Sequence, residues 1–161
     1  IAPNEIPVRT GFFTDFEDRL VSGALTEDGV QYSSEVTTGA VDTDVTVLSK
    51  LTNPVLEGEI LLVEFGLTAD FKAVSSATAD LIWKWQARNN DGTWVDLHSA
   101  VTETDIGTTY VSRTRSGYFT PEANFQNVPF EVRLILQCNE ADEGRARVKN
   151  SSYVRIIYRV V

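Results

Sequence analysis

The chain has 161 residues, of which 42% are hydrophobic and 23% charged, a balance that indicates one globular domain able to fold without disulfides or metal. Its formal net charge of −9 argues against general binding to the nucleic-acid backbone, which needs an excess of cations. With one cysteine and one histidine, the chain cannot form an intrachain disulfide or a site that needs several such side chains.

Membrane insertion and export leave no clear signal in this sequence. No apolar run reaches the roughly 18 to 20 residues that span a bilayer, so we predict a chain without a membrane span. The N-terminus also lacks the basic and then apolar pattern of a secretion signal. Because the chain contains no methionine, we expect its natural precursor to begin upstream of Ile1.

Residues 1–20 predict an extended N-terminal arm, followed by a single domain over residues 21–161. Pro3 and Pro7 favour extended backbone and cannot donate hydrogen bonds to a strand ladder. Three aromatic residues of the arm need a surface on which to pack: Phe12, Phe13 and Phe16. That surface belongs either to the same domain or to a neighbouring subunit, and the sequence leaves both alternatives open.

From about residue 30, short runs rich in β-branched and aromatic residues alternate with turn residues, a spacing typical of sandwiches and barrels. Helical periodicity is weak throughout, and a helical turn remains open only in 12–21 and 69–79. The predicted strands lie near 30–37, 43–51, 57–68, 79–88, 93–98, 107–119, 130–138, 145–149 and 152–161.

Alternation of apolar and polar residues is clean in 80–88, 130–138 and the terminal strand 152–161. One polar and one apolar face predict antiparallel strands that each cover one side of a core. The segment WKWQARNNDGTWVDL further predicts a β-hairpin around a turn rich in Asn, Asp and Gly. We therefore predict an all-β fold, a two-sheet antiparallel sandwich of jelly-roll-like type.

Residues for catalysis are mostly missing. His98 is the only candidate base for a Ser or Cys nucleophile, and no GxSxG elbow occurs. Cys138 shares the parity of the apolar residues in its strand, which predicts a buried thiol. Phosphate-binding loops, HExxH and the EF-hand loop are also absent from the sequence. We therefore predict that the protein is not an enzyme and binds no cofactor.

Two weaker chemical alternatives stay open. Paired carboxylates for glycoside hydrolysis come from distant strands, and the nearest candidates are Glu59, Glu64 and Asp80. A structural calcium ion needs loop oxygens. Such oxygens occur in the turn 89–91 and again in Asp142 and Glu143.

Aromatic residues give a positive signal for binding. Exposed Trp and Tyr side chains on a sandwich face can stack on sugars. The parity of 80–88, however, turns two of the tryptophans inward, which is the pattern of a core. The candidates for a glycan-binding platform are Trp83, Trp85, Trp94, Tyr110 and Tyr118.

Charge is divided unevenly along the chain. Residues 1–110 carry 6 Lys and Arg against 18 Asp and Glu, whereas residues 111–161 carry 8 against 5. An acidic body and a basic tail favour head-to-tail contacts between copies. The cations of the tail that we assign to such an interface are Arg145, Arg147, Lys149, Arg155 and Arg159.

These features lead to two functional hypotheses. The first is a non-catalytic structural subunit that assembles with copies of itself or with another assembly protein. It belongs to a virus particle, as a coat or capsid-decorating protein, or to an extracellular filament or surface layer. The alternative is a carbohydrate-binding module or adhesin-type domain whose partner is a glycan. Either hypothesis places the protein outside cells or on a virion.

Overall fold

A computed structural model describes residues 13–22, 25–51, 58–88, 92–121 and 130–160. Over these residues the chain forms β-strands and no helix, so no helix there is long and apolar enough to cross a membrane. The strands are β1 (Phe13–Arg19), β2 (Leu25–Glu27), β3 (Val30–Tyr32), β4 (Val36–Thr37), β5 (Val45–Leu51), β6 (Gly58–Ala73), β7 (Leu81–Arg88), β8 (Trp94–Asp96), β9 (Val101–Glu103), β10 (Val111–Phe119), β11 (Glu131–Cys138), β12 (Gly144–Val148) and β13 (Tyr153–Val160).

The strands form two antiparallel sheets that enclose one core, which confirms the predicted all-β sandwich of jelly-roll-like type. The larger sheet has the order β1-β13-β6-β12-β4, with β10 on the other edge of β6. The smaller sheet has the order β5-β11-β7-β8, with β9 also paired to β7. Strands β2 and β3 form a separate hairpin, whose turn residues Asp28 and Gly29 both have positive φ, as a type I′ turn requires.

Strand β6 organises the larger sheet. It pairs with β10 along one edge and with β13 and then β12 along the other. Residues 149–152 interrupt that second edge, opposite Thr68. There the buried Ser152 hydroxyl accepts a hydrogen bond from the Thr68 amide and donates one to the Thr68 carbonyl, both at 2.9 Å. The Ser152 side chain thus satisfies the backbone groups of Thr68 at the point where β6 has no neighbouring strand on this edge.

Strand β7 has the same arrangement in the smaller sheet. It pairs with β11 on one edge, and on the other with β8 and then β9. The pairing of Arg88 with Trp94 confirms the predicted hairpin, although its turn at 89–91 lies outside the described residues. Trp94 and Asp96 face away from the core on this strand pair.

The core confirms the predicted alternation. Strand β7 buries every other residue from Leu81 to Ala87, and β11 does so from Val132 to Cys138. The ring of Trp83 on β7 stacks on Phe71 of β6, with centroids 4.7 Å apart and planes 21° from parallel. This stacked pair joins the two sheets near their centres.

Three differences from the predicted strands have physical explanations. Strand β1 was not predicted, because its charged sequence has low β propensity and its partner is the far C-terminal strand β13. Strands β2 and β9 were also missed, and each has only three residues, too few for alternation to be recognised without a longer run around them. Strand β6 continues to Ala73, beyond the end predicted at residue 68. Its buried residues there include Ala69 and Ala73, whose side chains are too small to give a clear apolar pattern. The helical turns left open at 12–21 and 69–79 are therefore wrong over 13–19 and 69–73.

The N-terminal segment packs on its own domain where the structure describes it. Strand β1 runs antiparallel to β13, with Phe16 opposite Ile156 and Arg19 opposite Tyr153. Leu20 and Val21, which follow β1, are buried in the core. Residues 1–12 lie outside the described residues, so the boundary predicted at residue 20 stays a prediction.

Gly144 gives a test of this packing. A Cβ atom there would lie 2.9 Å from Thr38 Cγ2 and 3.0 Å from both Cys138 Cβ and Leu81 Cδ2. We expect Gly144→Ala to lower the free energy of unfolding by about 1 to 3 kcal/mol through overpacking, measured by urea denaturation.

Gly39→Ala is the matched control, since a Cβ at Gly39 meets no atom within 4 Å. We expect it to change the free energy of unfolding by less than about 0.5 kcal/mol. Equal effects of the two substitutions would contradict the close packing described around Gly144.

Candidate interaction surfaces

The basic tail folds back onto the acidic body of the same chain. Strands β12 and β13 carry most of its cations, and their neighbour β6 supplies carboxylates. Arg155 lies directly opposite Glu64, with an N–O distance of 3.4 Å. Arg145 lies 3.8 Å from Glu35. Most cations of the basic tail are therefore paired with carboxylates of the same chain, which keeps its acidic excess.

Arg147 is the centre of this pairing. Its side chain is only 6% exposed and projects from the outer face of β12. The guanidinium lies between two aromatic rings, 3.7 Å from the centroid of Tyr32 and 4.1 Å from that of Tyr110. It donates to Glu27 at 2.8 Å and to Asp70 at 3.4 Å. Arg147 thus ties the β2–β3 hairpin to β6 and to the residue before β10.

Asp70 is the buried anion of this cluster. Its carboxylate, 5% exposed, accepts a hydrogen bond from the Ser112 hydroxyl at 2.5 Å and lies 3.7 Å from Lys149 Nζ. A buried carboxylate needs such partners because its charge has lost most of its contact with water. The hydrogen bond from Arg147 also holds the pKa of Glu27 below its ordinary value.

Tyr110 extends the cluster towards solvent. Its hydroxyl donates to Glu35 at 2.6 Å, and Lys72 Nζ lies 4.7 Å from the ring centroid. Burial, with the Glu35 hydrogen bond as the second cause, raises the pKa of Tyr110 well above its ordinary value. The hydroxyl therefore remains a donor at neutral pH. Its ring covers Arg147 and is not part of an open platform.

The other predicted aromatic residues do not form one platform either. Trp83 and Trp85 are 1% and 0% exposed, which corrects their inclusion in a glycan-binding surface, because core side chains cannot stack on a sugar. Tyr118 is 67% exposed on β10 of the larger sheet. Trp94 lies on the smaller sheet. The structure therefore separates all the candidates outside the core.

Trp94 has a polar setting on the outer face of the smaller sheet. The guanidinium of Arg133 lies 3.9 Å from its ring centroid, and that of Arg88 lies 5.9 Å away. Arg133 donates to Gln86, whose amide in turn donates to Asp96 at 2.8 Å. These contacts hold a partly exposed indole among planar polar groups.

A shallow cavity of about 140 Å³ opens beside this network on the same sheet. Its polar lining comes from an acid, a base and an amide, and two isoleucines supply apolar surface. The lining residues are Asp44, Ile82, Trp83, Lys84, Ala100, Ile135 and Gln137.

The candidate catalytic groups are occupied in structural contacts. Cys138 is buried, and that burial raises the pKa of its thiol. His98 Nε2 accepts a hydrogen bond from the Trp85 amide. Among the candidate carboxylates, Glu64 pairs with Arg155 and Asp80 accepts from the Asp105 amide, whereas the side chain of Glu59 lies outside the described residues.

Of the loop oxygens considered for calcium, those of Glu143 are engaged, whereas Asp142 is exposed in a turn with positive φ. Glu143 accepts hydrogen bonds from the amides of Ser75 and Ser76 and from the Ser75 hydroxyl, and these bonds lower the pKa of its carboxyl. The described residues contain no group of three or more His, Cys, Asp or Glu side chains arranged to hold a metal ion. The turn 89–91 is outside them.

The sequence did not identify three residues that contact Arg147: Glu27, Tyr32 and Asp70. All three belong to segments that are distant from Arg147 along the chain, and Asp70 has the parity of an outward-facing residue. Only the register between β12 and β6 places Asp70 opposite Arg147. Sequence alternation assigns a face to a residue but does not identify its neighbour across the sheet.

Comparison by sequence finds no family model and no curated protein that matches the chain. Comparison of structures finds a chain from infectious bursal disease virus, Gx strain, with 12% identity and a TM-score of 0.50. The alignment covers 92% of the present chain and 37% of the viral one, so the chain spans little more than a third of that neighbour. At this identity the likeness establishes the fold alone.

Two other solved structures are more distant. A chain of the T13 particle of the same virus has 11% identity and a TM-score of 0.48, over 92% of this chain and 36% of the other. A carbohydrate-binding module specific for non-crystalline cellulose has 12% identity and a TM-score of 0.44, over 76% and 78%.

Arg147 provides a test of the cluster. We expect Arg147→Met to lower the free energy of unfolding by about 3 to 5 kcal/mol in chemical denaturation, because Asp70 keeps a buried charge without its main partner. Adding Asp70→Asn to this variant should recover part of the loss.

Arg145→Met is the control on the same face of β12. Arg145 is half-buried and its ion pair with Glu35 is long, so we expect a change below about 1 kcal/mol. A similar loss in both single variants would show that the Arg147 cluster has no special role in stability.

Proposed function

We propose that this protein is a non-catalytic structural subunit that assembles with copies of itself or decorates a larger assembly. Two settings fit: a virus particle, in which it is a coat or capsid-decorating protein, and an extracellular filament or surface layer. The fold that it shares with a chain of infectious bursal disease virus supports the first setting. The protein would then be virion-associated or extracellular.

The observation that carries the proposal is the difference between the two edges of the larger sheet. On β10, the carbonyl groups of Ser112 and Thr114 point away from β6, because both residues occupy non-hydrogen-bonded pairs with it. Arg113 donates to the Ser112 carbonyl at 3.1 Å, and Arg115 donates to that of Thr114 at 3.2 Å. Two arginines therefore cap this edge against the addition of another strand.

The opposite edge is formed by β1 and, beside β12, by the two-residue strand β4, and β1 directly follows the N-terminal segment. The described residues include no strand on the outer side of β1. An edge strand with unpaired backbone groups is a common place for a second chain to add. We therefore assign the main contact between copies to β1 and the segment before it, including Phe12, Phe13 and Phe16.

The cations of the tail have a smaller part in this proposal than the sequence indicated. Arg147 is excluded as a contact residue because it is buried. Arg145, Lys149 and Arg155 form ion pairs within the chain and remain only partly exposed. Arg159 lies opposite Glu59 on the two neighbouring strands. We expect these cations to lie at the border of the contact between copies, whose centre would be formed by β1 and the segment before it.

A carbohydrate-binding module is the second candidate, and Trp94 is the observation that favours it. Its indole is partly exposed beside Arg133, on a face where Gln86 and Asp96 hold fixed positions. Planar polar groups around an aromatic ring suit a neutral, hydroxyl-rich ligand. Binding on a glycan array that is lost in Trp94→Ala, from a chain that stays monomeric, would favour this candidate.

Deletion of residues 1–12 tests the leading proposal. It removes Phe12 but spares β1, so the sandwich should stay folded while assembly is lost. We expect the 161-residue chain to sediment as an oligomer or larger particle in analytical ultracentrifugation, and the shortened chain to sediment as a monomer. Far-UV circular dichroism of both should agree.

The matched control is Thr10→Ala in the 161-residue chain, which keeps the aromatic residues of the segment. It should assemble like the unaltered protein. A 161-residue chain that is strictly monomeric at high concentration would contradict the proposal, as would assembly that survives the deletion unchanged.

A further inference from the structure

The connection between β8 and β9, residues 97–100, lies along the outer edge of β7 opposite Trp85. The Leu97 amide donates to the Trp85 carbonyl at 2.9 Å, as in a regular ladder. The Trp85 amide, however, donates to Nε2 of His98 at 3.0 Å. An imidazole thus takes the place of a backbone carbonyl in the middle of the sheet edge.

This hydrogen bond defines the protonation state of His98. A backbone amide can only donate, so Nε2 must offer a lone pair and carries no proton. The Nδ1 atom lies 2.7 Å from the Ser99 carbonyl, which can only accept, and therefore carries the proton. Only one tautomer of the neutral ring makes both hydrogen bonds.

The groups around the ring act on its charge in both directions. The Trp83 ring packs edge-on to it, with centroids 5.3 Å apart. Lys84 on β7 and Arg115 on β10 disfavour a positive charge on His98, whereas Asp96 on β8 favours one. On β9 the nearest charged group is Glu103, which is held in an ion pair by Arg113 of β10, with N–O distances of 2.8 Å and 3.3 Å.

Burial is the main reason that the pKa of His98 lies below its ordinary value. The hydrogen bond to Ser99 and the charge of Asp96 act against this shift, whereas Arg115 and Lys84 lower the pKa further. A depressed pKa in the folded state means that the unfolded state takes up the proton more readily. The neutral ring therefore stabilises the fold above the ordinary histidine pKa of about 6.5, and that stability is lost as the pH falls below it.

We propose that residues 97–100 form an acid-sensitive clasp, which His98 closes on β7 when its ring is neutral and releases when the ring takes up a second proton. Protonation removes the lone pair on Nε2, so the Trp85 amide loses its acceptor. Strands β8 and β9 have three residues each and depend on this central contact. Release then opens the sandwich beside Trp83, between β9 and β10. The clasp does not depend on the proposed assembly function.

Hydrogen exchange at the Trp85 amide tests the clasp in the 161-residue chain. We expect its protection factor, corrected for the intrinsic rate, to fall about tenfold between about pH 7.5 and about pH 5.5, the factor that corresponds to losing a buried hydrogen bond worth roughly 1.4 kcal/mol. The Thr68 amide is the internal control. It donates to the Ser152 hydroxyl, which does not titrate in this range, so its protection factor should stay the same.

His98→Gln is the matched variant, because its side-chain carbonyl can accept from the Trp85 amide and does not titrate in this range. We expect it to keep Trp85 protected at both pH values. Unchanged protection in the unaltered protein would overturn the proposal. An equal acid-dependent loss in His98→Gln would also overturn it, because carboxylates would then be responsible.

If His98→Gln fails to fold, nuclear magnetic resonance of the unaltered protein tests the clasp instead. The ¹⁵N chemical shifts of the imidazole should report a neutral ring with its proton on Nδ1 at neutral pH, and the Trp85 amide signal should move in step with the titration of that ring. A proton on Nε2 at neutral pH would exclude the hydrogen bond on which the clasp depends.

Discussion

The register of strand β6 is the constraint on which the rest of the molecule depends, because one face of the strand packs in the core and the other forms ion pairs. On the inner face, Phe71 stacks on Trp83 of the smaller sheet and joins the two halves of the core. On the outer face, Glu64 and Asp70 receive arginines from β13 and β12. A shift in register by one residue would bury the acids and expose the aromatic side chains. Core packing and ion pairing therefore specify the same register.

At the edges of both sheets, side chains form hydrogen bonds where the backbone ladder stops. The Ser152 hydroxyl accepts from the Thr68 amide in the larger sheet, and the His98 imidazole accepts from the Trp85 amide in the smaller one. On β10, arginines cap carbonyls that would otherwise accept a strand from another molecule. Much of the polar chemistry that the sequence offers is therefore used to complete the sheets.

Period-two alternation was sufficient to predict the sandwich. It placed Trp83 and Trp85 on the core side of β7, which the structure confirms, and it located the hairpin that follows. It did not find β1, because a strand with several charges at a sheet edge is recognised only by its partner, and that partner lies at the other end of the chain. Local pattern therefore predicted the inner strands better than the outer ones.

The interaction surfaces were less predictable, for the same reason. Arg147 was identified as a cation but not as a buried one, because the acid and the two tyrosines around it come from separate strands. His98 was considered only as a candidate base and not as a partner of the Trp85 amide, because no sequence pattern marks the point at which an edge strand breaks. In both cases the missing information is the register between segments that are distant in the sequence.

Cross-linking of an isotope mixture tests most directly the claim that the N-terminal segment contacts another copy. Equal amounts of ¹⁵N-labelled and unlabelled chain are mixed, assembled and treated with an amine-reactive reagent, and links are sought between the amino group of Ile1 and Lys50, Lys72, Lys84 or Lys149. We expect links that join labelled to unlabelled peptides. Links found only within one isotope would show that the segment stays on its own chain, and would contradict a contact between copies.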